Sequence, residues 1–461
     1  MRKEKDSMGD VLIPDDAYYG AQTMRAINNF PISGYTMPTS MIYALGIIKR
    51  SAAIVNYNLG LLSLNKKVAI VKSADEVISG KFNDQFPVDI FQTGSGTSTN
   101  MNINEIISNR AIEILGGKIG SKSPIHPNDH VNKGQSSNDV IPTAIHIAAR
   151  IQIEKFLLPE LNYLEESLSK KVDLFSSVIK IGRTHLQDAT PITLGQEFSG
   201  YKQMIKNSKK RINNTLNLLS ELAQGGTAVG TGINTHEKFG FLFAEEISKY
   251  TGFDFIEAPN HFESQASQDA AVETSGALKS LAVSLSKIAN DIRWLGSGPR
   301  TGINELILPS TQPGSSIMPG KVNPVICEST IQVCAQVIAN DLAITQGGLG
   351  GFFELNLMLP LIAHNLLFSI NILSNSIKIF NEKLIIGIEA NKEKCKQSVE
   401  LSLAMCTSLV PILGYDKSAE IAYKAYEKNK TIRDILIDEN ILDKKTINEI
   451  LDPIPMTKPK K

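Results

Sequence analysis

The amino-acid sequence predicts a mainly α-helical protein organised around a bundle of long helices. Three long stretches, at residues 141–175, 191–222 and 267–295, carry apolar residues at helical spacing. In the third stretch the spacings alternate between three and four residues, as in a coiled-coil seam, at Leu278, Leu281, Leu285, Ile288, Ile292 and Leu295. Several such helices, each roughly 45 Å long, pack nearly parallel as a bundle. Because apolar residues cover more than one helix face, we expect a homo-oligomer with a helical core.

The length of the predicted helices and the composition of the loops change twice along the chain, which predicts three domains. Residues 1–137 alternate short helical patterns, at 39–58, 66–79 and 102–115, with loops rich in Gly, Pro and Asn. Residues 138–390 contain the long helices, including two more that begin at Pro324 and near Met358. In residues 391–461 the helical patterns are shorter and richer in Lys, which indicates a small C-terminal helical domain.

Charge and composition argue against several classes of protein. Lys+Arg and Asp+Glu both number 47 among 461 residues, and this zero net charge argues against a nucleic-acid or membrane-surface protein. No apolar run reaches the roughly 18 residues that span a bilayer. Residues 1–10 resemble neither a secretory signal nor a transit peptide. The four cysteines show no metal-ligand spacing, so we expect reduced thiols in a cytoplasmic protein.

The stretch at residues 314–324, called loop four below, has the composition of an anion-binding helix start. Asn323 suits an N-cap and Pro324 suits the first helical position. The unpaired N–H groups of the helix start and the charge of Lys321 would together attract a small anion. Ser315 and Ser316 stand beside them on a flexible arm. An ordinary capped surface turn is the alternative interpretation for any single loop of this kind.

Three other segments share this composition: loop one (residues 93–102), loop two (134–139) and loop three (182–191). All are rich in hydroxyls, amides and glycines and poor in acids, and each leads into a predicted helix. In loop three, Thr190-Pro191 repeats the arrangement of a cap followed by proline. Anion recognition needs convergent N–H and O–H donors of this kind. None of the loops matches a nucleotide-binding motif. Loop one, with Gly94 and Gly96, lacks the third glycine of a dinucleotide-binding turn.

Two histidine-containing segments need separate interpretation. His185 lies in the otherwise polar loop three, where a carboxylate partner would fix its tautomer and raise its basicity. Glu328, on the helix that begins at Pro324, is the best candidate partner, although alone it would be read as an exposed helix residue. His126 and His130 have the spacing of a helical metal pair, but Pro127 and the following Asn-Asp favour a polar turn, and we predict no metal site.

Loop four resembles the signature of the fumarase/aspartase superfamily of lyases. The matching residues are Gly314, Ser315, Ser316, Met318, Pro319, Lys321, Asn323 and Pro324. Further segments, at residues 4–9, 19–23, 225–232 and 414–417 and in loops one to three, resemble class II fumarases and occur in the family order along essentially the whole chain. His185 makes the chain resemble class II fumarases more than aspartases, because aspartases typically carry Gln at that position.

The resemblance implies a mainly α, three-domain fold whose central long-helix bundle forms the core of a homotetramer. Each active site would draw loops from three subunits. The implied reaction is the reversible hydration of fumarate to L-malate, through an aci-carboxylate carbanion and without cofactor or metal. Aspartate ammonia-lyase, from the same superfamily, is the alternative activity. A non-enzymatic scaffold that keeps the fold would be expected to have lost catalytic residues, and Ser315, Lys321 and His185 are all present.

By the family pattern, Ser315 is the base that removes the C3 proton, with its alkoxide stabilised by N–H groups and Lys321. His185, paired with Glu328, would then handle the water or the leaving hydroxyl; the opposite assignment of the two bases stays open.

Carried over by position, the substrate-binding residues are Ser95, Gly96, Thr97, Ser136, Ser137, Asn138, Thr184, Ser316, Lys321, Val322 and Asn323. A second, peripheral dicarboxylate site is implied at His126, Pro127, Asn128 and Asp129, although Ser123 stands where some class II fumarases have Arg.

Overall fold

The computed structural model describes residues 1–459 and is dominated by α-helices. The helices are α1 (Ala21–Asn29), α2 (Thr39–Asn58), α3 (Leu64–Ile78), α4 (Thr97–Ile114), α5 (Ser137–Gln152), α6 (Leu158–Leu174), α7 (Leu194–Thr215), α8 (Phe239–Thr251), α9 (His261–Ala266), α10 (Asp269–Leu295), α11 (Val325–Gly348), α12 (Leu359–Lys383), α13 (Lys392–Leu401), α14 (Val410–Leu413), α15 (Tyr415–Glu427), α16 (Ile432–Asp438), α17 (Lys444–Ile450) and α18 (Pro453–Met456). None of the helices in residues 1–459 combines the length and apolar character needed to cross a membrane.

Within residues 1–459 the strands form five two-stranded sheets. They are β1 (Arg2–Asp6), β2 (Gly9–Ile13), β3 (Ile179–Thr184), β4 (Gln187–Thr193), β5 (Glu221–Leu222), β6 (Ile256–Glu257), β7 (Leu306–Ile307), β8 (Gly351–Phe352), β9 (Leu355–Asn356) and β10 (Glu389–Ala390). The pairs β1–β2, β3–β4, β8–β9 and β7–β10 are antiparallel, and β5–β6 is parallel. The sheets are small, so the helices supply most of the buried apolar surface.

The chain divides into two compact units. The first unit contains Met1–Pro159, Ser208–Ala282 and Cys334–Ser374, and therefore carries loops one and two. The second unit contains Glu160–Asn207, Val283–Val333 and the described chain from Asn375 onward, and carries loops three and four. The three-domain division at residues 137/138 and 390/391 stays a prediction, and residues 460 and 461 of its last part lie outside the described residues.

The predicted long helices are present. Helix α10 covers nearly all of the predicted stretch 267–295, and its six seam residues are at most 5% exposed. The stretch 141–175 is almost continuously helical, because one π-helical turn at Ile153–Leu157 joins α5 to α6. The apolar seam therefore predicted its buried face correctly.

The predicted helix at residues 191–222 is wrong at its start. Residues up to Thr193 form β4, paired with β3, and α7 begins only at Leu194 and ends at Thr215. Residues 187–193 hold three β-branched side chains, and a proline is tolerated in a two-stranded sheet because its missing N–H can face outward. Thr190-Pro191 is thus part of a strand and does not cap a helix.

The C-terminal part of the second unit has an apolar core of its own. Val399, Leu409, Ile421, Ile435 and Leu451 are buried together there. Ile181 of β3 belongs to the same cluster, so the β3–β4 hairpin is packed against these helices. This packing gives the hairpin that carries loop three a fixed base.

Candidate active site

Loop one ends in the first turn of α4. Gly96 adopts φ +71°, which glycine reaches without strain, and the helix starts directly after it at Thr97. The predicted start near residue 102 is therefore about five residues too late. The hydroxyls of Ser95 and Thr97 share a hydrogen bond of 2.8 Å, and Gln92 Oε1 accepts from the backbone N–H and the hydroxyl of Thr99. The loop thus presents fixed hydroxyls at a helix N-terminus.

Gly94 fixes loop one to another part of the first unit. The Leu359 N–H donates to the Gly94 carbonyl at 3.0 Å. A Cβ atom added at Gly94 would lie 2.0 Å from the carbonyl oxygen of Leu357, which is far inside van der Waals contact. The loop therefore depends on direct backbone packing at this point.

Loop two is a capping box at the start of α5. Ser136 is the N-cap, its hydroxyl accepts from the Asn138 N–H at 3.3 Å, and the Asp139 carboxylate accepts from the Ser136 N–H at 2.8 Å. Asn138 Nδ2 donates to the Ala228 carbonyl at 2.7 Å. Ser137 is buried as the first residue of the helix. The Ser-x-x-Asp spacing of residues 136–139 is the sequence signal for this cap.

Asp139 also organises the glycine-rich segment at residues 225–232. Its Oδ2 accepts from Gln224 Nε2 at 2.9 Å, from the Gly225 N–H at 3.2 Å and from the Thr227 N–H at 3.0 Å. The side chain is fully buried, and this desolvation raises the pKa of Asp139 to about 6 in spite of the N–H donors. One carboxylate thus connects loop two to a third polar segment.

Loops one and two are in direct contact. Asn100 Nδ2 donates to the Ser137 hydroxyl at 3.0 Å. Asn132 Oδ1 accepts from the side-chain amides of Asn100 and Asn104, at 3.3 and 3.1 Å. The structure therefore brings loops one and two together through Asn100 and Ser137, while the assignment of their donors to one ligand stays a prediction.

Loop three is a β-hairpin in place of the predicted helix-leading loop. His185 and Leu186 form its two-residue turn with φ of +56° and +60°, and Thr184 pairs with Gln187 across the strands. Positive φ at both central residues matches the right-handed twist of the flanking strands. Thr184 and His185 are both exposed in the single chain. The turn therefore presents the histidine at the tip of a rigid element.

A buried cluster of charges supports this hairpin. Arg183 donates through two guanidinium nitrogens to the two carboxylate oxygens of Glu305, each at 2.9 Å. Lys180 Nζ lies 3.2 Å from Glu305 and 3.2 Å from Glu197. Glu305 is 0% exposed and Lys180 is 1% exposed. The cluster is next in sequence to Thr184 and His185, so it fixes where the hairpin begins its turn.

Loop four is closed by two hydrogen bonds across its neck. The Gly314 N–H donates to the Lys321 carbonyl, and Asn323 Nδ2 donates to the Gly314 carbonyl, each at 2.7 Å. The first intrahelical bond of α11 runs from the Glu328 N–H to the Pro324 carbonyl. The helix begins at Val325, so Pro324 holds the cap position and the predicted cap, Asn323, lies one residue before it. The amide of Asn323 joins the two arms of the loop.

The Ser315 hydroxyl oxygen accepts backbone N–H groups from its own loop. The Met318 N–H lies 2.9 Å from Ser315 Oγ and the Ile317 N–H lies 3.3 Å from it. Ser316, Lys321 and Val322 are exposed on the same loop, and Glu328 is half-buried in the first turn of α11. Within residues 1–459, no hydrogen bond or ion pair joins His185 to Glu328, so their pairing stays a prediction.

The segment predicted as a peripheral site is a polar turn, as expected. Pro127–Val131 forms one π-helical turn, and His126 Nδ1 accepts from the N–H groups of Asn128 and Asp129 at 3.2 and 3.3 Å. His130 Nδ1 accepts from the His126 N–H at 2.8 Å, and its other ring nitrogen lies 2.6 Å from Lys66 Nζ. Burial lowers the pKa of His130, and the Lys66 charge adds to that effect. Residues 1–459 contain no group of three or more His, Cys, Asp or Glu side chains arranged to hold a metal ion.

Two family comparisons match most of the described fold. A profile described as "Lyase" matches residues 9–339, and a profile described as "Fumarase C C-terminus" matches residues 405–458. The fold and the loops thus define a lyase.

Individual relatives narrow this class. The mitochondrial fumarate hydratase of Homo sapiens is 52% identical over 463 residues, which cover 100% of this chain and 90% of the human protein. The class II fumarate hydratase of Neisseria meningitidis serogroup A is 48% identical, with 100% and 99% of the two chains covered. The crystal structure of class II fumarase from Schistosoma mansoni matches with a TM-score of 0.96 at 41% identity and covers 100% of both chains. The chain belongs to the class II fumarase family, and the predicted fold is confirmed.

The expected cytoplasmic location is wrong. The similar proteins of human, macaque, rat, mouse and zebrafish are named as mitochondrial, although the Neisseria protein is comparably similar. The expectation depended on four free cysteines, all of which are indeed free thiols in the structure. Reduced thiols indicate a reducing compartment and do not distinguish one such compartment from another.

Proposed function

We propose that this protein is a fumarate hydratase, a lyase that reversibly adds water to fumarate to give L-malate in the tricarboxylic acid cycle. The observation that carries the proposal is the complete loop four, in which Ser315 accepts two backbone N–H groups beside Lys321. Full-length relatives named fumarate hydratase support the choice of substrate.

The difficult step is removal of the C3 proton of malate. The resulting aci-carboxylate carries a second negative charge on an already ionised carboxylate, so the barrier falls only if the site stabilises that charge. Ser315 is our candidate base. A serine hydroxyl is a weak base, but N–H donors at 2.9 and 3.3 Å from Oγ favour its alkoxide. The charge of Lys321 in the same loop acts in the same direction.

The other proton transfer is assigned to His185. As malate loses its C2 hydroxyl, the imidazolium of His185 donates a proton to that oxygen and water leaves; in hydration the neutral imidazole takes a proton from the attacking water. Glu328 would orient the imidazole. Since the two side chains make no contact within the described part of one chain, we propose that Glu328 reaches His185 from another copy. In the reverse assignment His185 removes the C3 proton and Ser315 handles the water or the leaving hydroxyl, so the same two side chains carry the two proton transfers.

The substrate carboxylates are assigned to donors on the loops. Loops one and two offer the hydroxyls of Ser95, Thr97, Ser136 and Ser137 and the amide of Asn138, fixed by the hydrogen bonds described above. Further assigned binding groups are Gly96, Thr184, Ser316, Lys321, Val322 and Asn323. Every proton transfer is assigned to a side chain, so the proposed mechanism uses no cofactor and no metal.

We also propose a homotetramer whose active sites are shared among three subunits. Apolar side chains on the long helices are exposed in the single chain: Val283 is 56% exposed and Leu342 is 64% exposed. Exposed residues of this size along long helices favour burial by other copies. A peripheral dicarboxylate site at His126, Pro127, Asn128 and Asp129 is a further proposal, supported by the nearby Lys66.

The direct test is the ultraviolet absorbance of fumarate after addition of L-malate, in buffer with a chelator. Absorbance should rise with L-malate and not with L-aspartate. A rise with L-aspartate alone would identify an ammonia-lyase and overturn the proposal.

A further inference from the structure

Lys49 is a buried cation that the proposed mechanism does not use. It lies on α2, is 0% exposed and donates to Asn132 Oδ1 at 3.0 Å and to Gln135 Oε1 at 2.9 Å. Both partners are neutral amides, and no carboxylate of the described chain lies within ion-pair distance of Lys49 Nζ. A buried ammonium group without a directly bonded carboxylate is unfavourable for stability, so its presence calls for a functional explanation.

The two partners of Lys49 connect it to both ligand-binding loops of the first unit. Gln135 belongs to loop two, and Asn132 Nδ2 donates to the Gln135 carbonyl at 3.0 Å. The oxygen of Asn132 that accepts from Lys49 also accepts from Asn100 of loop one, which in turn donates to Ser137 of loop two. Lys49 therefore lies at the end of a short, continuous network that joins the two loops.

We propose that Lys49 is a positioning residue for dicarboxylate binding: its buried ammonium group fixes loops one and two relative to each other and supplies the positive charge that both loops lack. This inference rests on the proposed function. Neither loop contains Lys or Arg, so their own donors are all neutral. A dianionic ligand is held more strongly by neutral donors when a cation polarises them in a low-dielectric environment.

Asp139 is the charged group that favours the ammonium form of Lys49, whereas burial of Lys49 disfavours that form. Burial lowers the pKa of Lys49 to about 7 although the Asp139 charge works against that decrease, so the ammonium form on which the proposal depends is the main form below about pH 7. The carboxylate oxygens of Asp139 already accept from Ser136, Gln224, Gly225 and Thr227. It therefore has no hydrogen bond to Lys49, and the amides of Asn132 and Gln135 stay the direct partners of the cation.

The test compares Lys49→Met with two matched variants. Lys49→Arg keeps the charge and the donors, and Lys171→Met removes a different buried lysine, whose Nζ donates to the Ile388 carbonyl in the second unit. The measurements are KM and kcat for L-malate, and calorimetric binding of succinate, a dicarboxylate that cannot react. Lys49→Met should raise KM and the succinate Kd at least tenfold, with kcat changed less than threefold, since the loss concerns binding. Lys49→Arg should restore most of the affinity, and Lys171→Met should leave both constants within twofold.

Three results would overturn the proposal: a succinate Kd for Lys49→Met within twofold of wild type, equal effects of Lys49→Met and Lys171→Met, or a loss confined to kcat. If Lys49→Met does not fold, Gln135→Met is measured in its place; it removes one of the two acceptors of Lys49, together with the Gln135 Nε2 donor to the Val131 and Lys133 carbonyls. Gln135→Met should raise KM and the succinate Kd severalfold, and unchanged values would also overturn the proposal. Failure of the proposed function has a different signature. The wild-type protein would then not interconvert malate and fumarate at all.

Discussion

Replacing Glu305 by Gln should destabilise the hairpin that carries His185. The Glu305 carboxylate is 0% exposed and accepts hydrogen bonds from Nη1 and Nη2 of Arg183, each at 2.9 Å. Lys180 Nζ lies 3.2 Å from Glu305 Oε2. Glutamine has nearly the same shape, so the change removes one charge and little packing. The variant therefore isolates the electrostatic part of the cluster.

The expected magnitude follows from the burial of the pair. Removing one partner of a buried ion pair costs about 3–5 kcal/mol, because the other charge is left without compensation. Lys180 still has Glu197, but Arg183 loses its only direct carboxylate among the described residues. Arg183→Gln should cost less than Glu305→Gln, since Glu305 would still be paired with Lys180.

Hydrogen exchange of the β3 and β4 backbone amides is the suitable assay, because it reports local opening without requiring two-state unfolding of the whole oligomer. A cost of 3 kcal/mol corresponds to roughly 150-fold faster exchange. Glu400→Gln is the control, since its pair with Arg433 is half exposed and such pairs contribute under about 1 kcal/mol. Equal exchange rates in Glu305→Gln and Glu400→Gln would refute a supporting role for the buried cluster.

The remaining predictions concern catalysis, pH and a helix cap. Ser315→Ala should lower kcat by roughly 10²–10⁴-fold with the oligomer intact by light scattering, whereas Ser329→Ala, at an exposed position on α11, should not; normal turnover in Ser315→Ala would exclude it as base. Burial lowers the pKa of His146 from its ordinary 6.5 to about 4. Between those values only the unfolded state binds the proton, so stability is full above pH 6.5 and falls by about 3 kcal/mol as pH drops to 4. His146→Gln should flatten that part of the stability–pH curve, and an unchanged slope would contradict the assignment. Thr431→Ala removes the capping box of α16 and should lower its local stability by about 1 kcal/mol in hydrogen exchange, with no change at β3.

The sequence was sufficient to predict the helical fold and the positions of loops one, two and four at helix starts, since both depend on local patterns. The seam of α10 and the hydroxyl-rich stretches at Ser95 and Ser136 are visible in neighbouring residues. The β3–β4 hairpin was missed because its strands are short and Thr190-Pro191 resembles a helix cap. What holds the hairpin is tertiary: Ile181 in the apolar core and Arg183 on Glu305, 122 positions away in sequence.

The buried charges were beyond sequence reasoning for a related physical reason. Lys49, Asp139 and Glu305 would each be placed on the surface by residue type, because charged side chains are rarely buried without partners. Their partners are amides, backbone N–H groups and a distant arginine, which no spacing rule connects. The proposed pairing of His185 with Glu328 raises a further difficulty, since in that proposal the two side chains come from two copies of the chain.

The contact at Gly94 restricts how this protein can change over evolutionary time. Any codon change there that introduces a side chain forces a Cβ atom into the Leu357 carbonyl, 2.0 Å away. A lineage under selection for a different ligand therefore has no gradual path through this position. In the proposed site, heritable changes of ligand contact in loop one fall instead to neighbours such as Ser95 and Thr97, which already carry side chains.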